Sequence, residues 1–404
     1  MMHRRQFLSD LASTAGAATL AGFTATSCGF AANETVSIGA IGTGGRCRQL
    51  MQALSGISGV QIVAVCDIWD ENLAEGAKLA APRARRFKDH RELLDQADID
   101  AVVIGAPDHL HVPITVDACA AGKDVYVEKP LTHDLSEGER VIDAQNRNRR
   151  IVQVGMQQRS MPHIQEAYEL VQQGLIGDVH KVHLSWNRNT PRWKKKQYGI
   201  DPATVDWQKF LGGAPDQPFD EYKFRNWRWF WDFGGGIFTD LMVHWIDVAH
   251  WFLGVDHPAV AVSIGDHMQA AGIWETPDTV QTLLRYPERE AQAYFEGTFC
   301  NARNRAMIEF MGTKGTIYID RGRYEVHPDP HQDLKYRELI LGTESRGADF
   351  FSNPNGEVLH LSNWLECCRT RKKPSAPAEA GVSAASAAHM ANIALRESKV
   401  ARWS

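Results

Sequence analysis

From residue 34 onward, short apolar runs alternate with stretches of helical period. "VSIGAIG" (36–42), "VQIVAVCD" (60–67), "AVVIGAP" (101–107), "DVYVEKP" (124–130) and "RIVQVGM" (150–156) are rich in β-branched and other apolar residues. Between them come the stretch after Arg46, "ENLAEGAKLA", and roughly Val112 to Ala121, all of helical texture. A strand that is apolar on both sides needs cover on both faces. The alternation therefore predicts a parallel sheet between two layers of helix. The fold class is α/β, with a doubly wound nucleotide-binding Rossmann domain over 33–155.

After Met156 the period changes. "DVHKVHLSWN" (178–187), "TVQTLLRY" (279–286), "QAYFEGTF" (292–299), "RAMIEFMG" (305–312) and "GTIYID" (315–320) alternate apolar with polar positions. Period 2 sets one face on a core and the other toward solvent. It predicts a large open, mainly antiparallel sheet in an α+β domain over 156–358. That open face, assigned Val280, Leu284, Tyr294 and Phe299, is expected to be covered by a second copy of the chain in a dimer or tetramer. Residues 328–357 are rich in Pro, Gly and charge and read as loop. "VLHLSNWLECCRTRK" and "SAASAAHMANIALRESKV" return to helix, and 359–404 are expected to pack back on the nucleotide-binding domain.

Residues 1–32 stand apart from this pattern. Arg4-Arg5 followed by Phe-Leu and by "LASTAGAATLAGFTAT" is too short and mild for a membrane span. It matches an export signal of twin-arginine type, which carries folded proteins to the periplasm. Cys28 ends an imperfect lipobox, so acylation there is the less favoured alternative. The composition of the whole chain (404 residues, 44% hydrophobic, 23% charged, net charge −5) is that of a soluble globular protein. It argues against a nucleic-acid or anionic-membrane binder. The densest cationic run, "RWKKK" (192–196), reads as a solvated loop. Cys28, Cys47, Cys66, Cys119, Cys300, Cys367 and Cys368 include no CxxC pair, and the six that remain once the signal is removed read as buried free thiols.

Candidate chemistry begins at the first strand–helix turn, "IGAIGTGGRCRQL". Gly42, Gly44 and Gly45 open a helix whose N–H groups can hold a pyrophosphate, although Cys47 stands where the fingerprint has its last glycine. Asp67 at the end of "AVCD" has the place of the carboxylate that binds the adenosine ribose, which favours NAD over NADP. Taken alone, the same Asp serves equally well as a helix cap. In "WDFGGGIFTDLMVHWIDVAHW" (231–251), helical spacing puts Asp240, His244 and Asp247 on one face among Phe238, Leu241, Trp245, Val248 and Phe252. "HPDPHQD" (327–333) has its prolines against helix, and no metal is expected there.

The turn Pro107-Asp108-x-x-His111 is followed by Ala121-Gly122-Lys123, then Glu128-Lys129-Pro130, and later by Gly234-Gly235-Gly236 ahead of Asp240 and His244. In this order of motifs the chain resembles the Gfo/Idh/MocA oxidoreductases, which include glucose–fructose oxidoreductase and inositol dehydrogenase; Asp108 replaces the usual Asn. The resemblance covers about residue 35 to the C-terminus. It implies NAD-dependent oxidation of a secondary alcohol on a sugar, cyclitol or glycoside, without metal. Cofactor contacts are implied for Gly42, Thr43, Gly44, Gly45, Arg46 and Asp67, then for Ala106, Pro107, Asp108, His111, Glu128 and Lys129. His244 would take the hydroxyl proton, Asp240 would orient it or hold the substrate, and Lys129 would stabilise the developing oxygen. The three glycines would leave room over the nicotinamide. Trp186 and Arg228, with Trp227, Trp229 and Trp231, are candidate sugar contacts, though core packing competes for each aromatic. Asp247 reads as core support. Two other readings stay open: an NAD-dependent glycosidase working through a 3-keto sugar, and a non-catalytic sugar-binding protein with structural NAD.

Overall fold

A computed structural model describes residues 35–190, 192–341 and 355–403. The expected export signal lies outside them. In the first domain β1 (Val36–Ile41), β2 (Val60–Cys66), β3 (Arg85–Phe87), β4 (Ala101–Ile104), β5 (Asp124–Val127) and β6 (Val152–Val154) form one sheet. Its order is β3-β2-β1-β4-β5-β6, and every pair is parallel. The core strands earn their burial from sequence: β4, Ala-Val-Val-Ile, is buried at all four positions. From β3 the chain returns to lie beside β1. The carboxyl ends of β1 and β4 therefore flank the crevice where such sheets take ligands.

The second domain adds β7 (Val179–Asn187), β8 (Val260–Asp266), β9 (Thr279–Tyr286), β10 (Ala291–Thr298), β11 (Ala306–Gly312), β12 (Gly315–Ile319), β13 (Arg323–Pro328), β14 (Arg337–Ile340) and β15 (Ala401–Arg402). They pair in the order β14-β13-β12-β11-β7-β10-β9-β8-β15, antiparallel except where β7 runs parallel to β10. The helix Val243–Leu253 and the last helix, Ala378–Arg396, cover one face.

Two expectations change here. Val280, Leu284 and Phe299 are buried on the covered face, and of the four residues assigned to the open face only Tyr294 lies there, stacked on His183. Apolar outward positions are instead Val262, Ile264 and Leu283. The alternation in β9 was legible, but a pattern of period 2 does not say which face meets the core when both faces carry large apolar groups. Part of the supposed loop 328–357 is strand. β14 pairs with β13 as an exposed, charged edge, and its composition masks its extended backbone.

The C-terminal helices join the domains. The helix Gly356–Thr370 sets Leu361, Trp364 and Leu365 into the cluster of Leu50, Leu54 and Val36 on the first domain. The Ala-rich last helix holds both sides of the cleft: His389 meets the Thr132 hydroxyl (3.0 Å), and Asn392 donates to the Gly235 carbonyl (2.9 Å). Among the described residues all six cysteines are free thiols, five of them buried.

Candidate active site

Backbone geometry builds the cofactor end of the cleft. Gly42 has φ +73°, and a Cβ there would lie 2.7 Å from the Ala106 nitrogen, so only glycine lets the β1 and β4 turns approach. Gly44 caps the helix Gly45–Ser55 without a side-chain hydrogen bond. Its first-turn N–H groups thus keep their capacity for an anion, and the space around Gly45 is open. A cleft of about 500 Å³ runs from Gly42, Gly44 and Gly45 past Asp67 to Ala106 and Pro107, with Trp227 and Arg228 on the far wall.

Asp67 lines this cleft and also caps its own turn, accepting the Trp69 N–H (2.9 Å). Burial pushes its carboxyl up to about 6, against the pull of that N–H. Thr43 is fully buried, donates to the Asn72 carbonyl (2.9 Å), and braces Asp67 without reaching the cleft. Arg46 is not free for phosphate. Its guanidinium bonds Glu128 (2.9 Å) and Glu357 (2.7 Å), tying the first domain to the helix Gly356–Thr370. Glu128 is thereby spent as well. His111 bridges the Ala106 and Pro130 carbonyls (2.8 and 2.6 Å), and burial lowers its pKa to about 4. These three residues support the cofactor wall and do not face it. Asp108 is 3% exposed, and burial raises its pKa well above the usual carboxylate value.

Lys129 follows β5 by two residues, just before the cis bond to Pro130. Its ammonium donates to the Asp240 carbonyl (2.6 Å) and to Asp240 Oδ1 (3.0 Å). Arg228 Nε donates to the same Oδ1 (3.2 Å). Burial opposes ionisation of Asp240, but Lys129 and Arg228 overcome it and hold the carboxyl well below its ordinary value.

Asp240 does not orient His244. The expected single helix opens with a π turn, Phe238–Met242, before Val243–Leu253 becomes α-helical. That turn breaks the simple i, i+4 register. His244 makes no hydrogen bond to any described residue; instead its ring stacks on Trp186, 5.0 Å between centroids and 27° between planes. Burial, with Lys129 and Arg321, pushes its pKa well below 6.5, so the imidazole is neutral.

Trp186 is 2% exposed, and besides the His244 ring it carries the guanidiniums of Arg321 (4.6 Å) and Arg188 (5.2 Å). It is a buttress for His244, not a sugar wall. Trp229 is core, stacked on Trp274 at 4.3 Å, while Trp231 carries Arg396. Trp227 alone among these aromatics lines the cleft. Asp247 accepts Arg159 through both oxygens (2.7–2.9 Å), the core support expected of it. The triple glycine does not clear space for the cofactor. A Cβ on Gly234 would strike the Arg228 backbone at 2.8 Å, and Gly236, at φ +66°, would strike Thr276 at 2.7 Å. Arg188, Arg192 and Arg321 had no motif to reveal them; the one available signal was that Arg188 follows Trp186 by two along the same strand.

Residues 36–156 match the oxidoreductase family model for the NAD-binding Rossmann fold, and 164–318 match the GFO/IDH/MocA C-terminal domain. The chain belongs to the Gfo/Idh/MocA oxidoreductase family. The inositol 2-dehydrogenase of Salmonella typhimurium is 27% identical over 230 residues, 56% of either chain, so this match spans only about half of that relative. Thermotoga maritima myo-inositol 2-dehydrogenase is 25% identical over 71% of this chain and 75% of its own length. In fold, this Gfo/Idh/MocA member is similar to levoglucosan dehydrogenase in complex with NADH (TM-score 0.69, 19% identity, 91% and 99% covered). It is equally similar to the aldose-aldose oxidoreductase of Caulobacter crescentus (0.69, 19%, 92% and 100%). The glycine turn, the uncapped helix start and Asp67 fit NAD: they offer unspent N–H donors, open space and a carboxylate at the second strand end.

Proposed function

We propose that this chain oxidises a secondary alcohol of a sugar or cyclitol with NAD as hydride acceptor. One observation carries the reading. Lys129 from the first domain meets Asp240 from the second, Arg228 on the wall of the NAD cleft bonds the same carboxylate, and neutral His244 follows one helical turn beyond. When bound, the nicotinamide supplies the hydride acceptor. The chain's own side chains do the rest. Neutral His244 has a ring nitrogen to take the hydroxyl proton, and Trp186 fixes the plane of that ring. The Lys129 ammonium, anchored by Asp240, stabilises negative charge on the substrate oxygen. Native mass spectrometry for co-purified NAD, followed by a sugar and cyclitol panel read at the NADH absorbance, tests this. Protein that carries no nicotinamide nucleotide and reduces none with any polyol would overturn it.

Asp67 sets the cofactor preference in this reading, since a carboxylate at the ribose repels a 2′-phosphate. Asp67→Ala is expected to cut the NADP-over-NAD ratio of Kd values by about tenfold or more. An unchanged ratio in a protein that melts normally removes Asp67 from that role. We further infer export through the twin-arginine route and a homo-oligomer covering Val262, Ile264 and Leu283. Fractionation of the native host and light scattering at micromolar concentration check these two points; a cytoplasmic pool or a monomer rejects the respective one.

A further inference from the structure

The second domain brings more positive charge to the reacting end than the redox step uses. Lys129 and Arg228 already share the single carboxylate of Asp240. Arg188 and Arg192 add two more cations, and both are placed by the fold. The β7 ladder continues past Asn187: the Arg188 N–H donates to the Thr298 carbonyl (2.8 Å) and the Thr190 N–H to the Phe299 carbonyl (3.3 Å). Arg188 is therefore held on a rigid extension of the strand. Alternation puts it on the same face as Trp186, toward the helix of His244. Its guanidinium sits 5.2 Å from the Trp186 ring, which in turn sits 5.0 Å from the His244 ring. Arg192 lies over Phe299 at 5.7 Å.

Neither guanidinium makes an ion pair or a side-chain hydrogen bond with a described residue. Arg188 is half-buried; burial lowers its pKa, Arg192 lowers it further, and Asp240 pulls the other way. The two arginines thus sense each other and the catalytic carboxylate. Each presents a fork of five N–H donors; Arg192 is exposed, whereas the half-buried fork of Arg188 has no acceptor among the described residues and costs free energy until one arrives. The neighbouring carboxylates do not supply it: Asp240 pairs through Oδ1 with Lys129 and Arg228, Glu128 pairs with Arg46, and neither forms an ion pair with Arg188 or Arg192. The cofactor cannot supply it either, because its pyrophosphate belongs at the glycine turn on the other end of the cleft.

We propose that the substrate of the dehydrogenase reaction carries an anionic group, a carboxylate or a phosphate, which Arg188 and Arg192 hold beside the hydroxyl that His244 and Lys129 address. This rests on the dehydrogenase reading above and narrows it from polyols in general to sugar acids or sugar phosphates. Planar guanidiniums recognise both groups by paired N–H donors, and such charge-assisted pairs are the strong ones.

The test uses the full chain loaded with NAD and three matched ligands: glucose, glucuronate and glucose 6-phosphate. Calorimetry reads binding, and NADH absorbance reads turnover. At least one anionic member is expected to bind roughly tenfold or more tighter than glucose. Comparing glucuronate with glucose 6-phosphate identifies the anion. Arg188→Gln and Arg192→Gln should each erase most of that advantage, leave glucose binding within about threefold, and melt like the parent. Glucose binding as tightly as both anions overturns the proposal, as does an anion preference unchanged in both variants or failure of both anions to bind at millimolar concentration. NADH formed from glucose in any of those cases leaves the dehydrogenase reading intact. Arginine-dependent anion binding without NADH from any ligand sustains the anion site and rejects the dehydrogenase.

Discussion

Lys129→Ala is expected to lower turnover by about three decades while bound NAD stays in place, the scale seen when a donor aimed at developing negative charge is removed. The ammonium is held by two bonds from one residue, the Asp240 carbonyl at 2.6 Å and its carboxylate at 3.0 Å. It has no ion pair with Glu128, which Arg46 occupies. Its third N–H is therefore available to a substrate oxygen. Removing the amine leaves Asp240 with Arg228 as its remaining direct partner, and the burial that opposes its ionisation gains weight. Part of the loss will then come through Asp240, and Lys129→Ala combined with Asp240→Asn should cost much less than the sum of the two changes. Lys129→Arg should rescue poorly, because a planar fork cannot reproduce the placement of a compact ammonium. NAD content, thermal melts and single-turnover reduction of bound NAD measure these effects. Normal turnover in a folded Lys129→Ala protein would refute the assignment.

Both domains were legible where residues report their own burial. Continuous apolar runs such as Ala101–Ile104 could only be central parallel strands, and Gly42 marks a turn that no side chain fits. Spacing failed where partners come from far along the chain. Arg46 stands in the phosphate turn, yet Glu357, 311 positions later, claims it. His111 sits in a cofactor motif, but its two ring nitrogens serve backbone carbonyls. Trp186 looked available for a sugar until the fold laid it against His244. A π turn is likewise invisible to a rule of 3.6 residues per turn, so the inferred link from Asp240 to His244 became a link from Asp240 to Lys129.

His244→Ala is expected to lose two to four decades in turnover, the usual range for a positioned proton acceptor. The assignment rests on what the ring lacks. No described residue hydrogen-bonds either nitrogen, Nδ1 is buried, and Trp186 stacks on the ring without taking a proton. Burial and the charges of Lys129 and Arg321 keep the imidazole neutral far below pH 6.5, so the base form is present throughout the neutral range. The acidic limb of kcat/KM attributable to this group should accordingly lie below pH 6.5. Stability carries a second signature of the same shift. Because the native His244 pKa is depressed, the unfolded chain binds the extra proton first, and the stabilisation present above about pH 6.5 is lost as pH falls. Replacing His244 removes that liability, so the variant should lose less stability than the parent between pH 7 and pH 5. A purely structural histidine would also relieve the acid liability, but it would spare single-turnover reduction of bound NAD at pH 8. Survival of that step at the parental rate, in a variant that folds and keeps its NAD, assigns proton removal to another group.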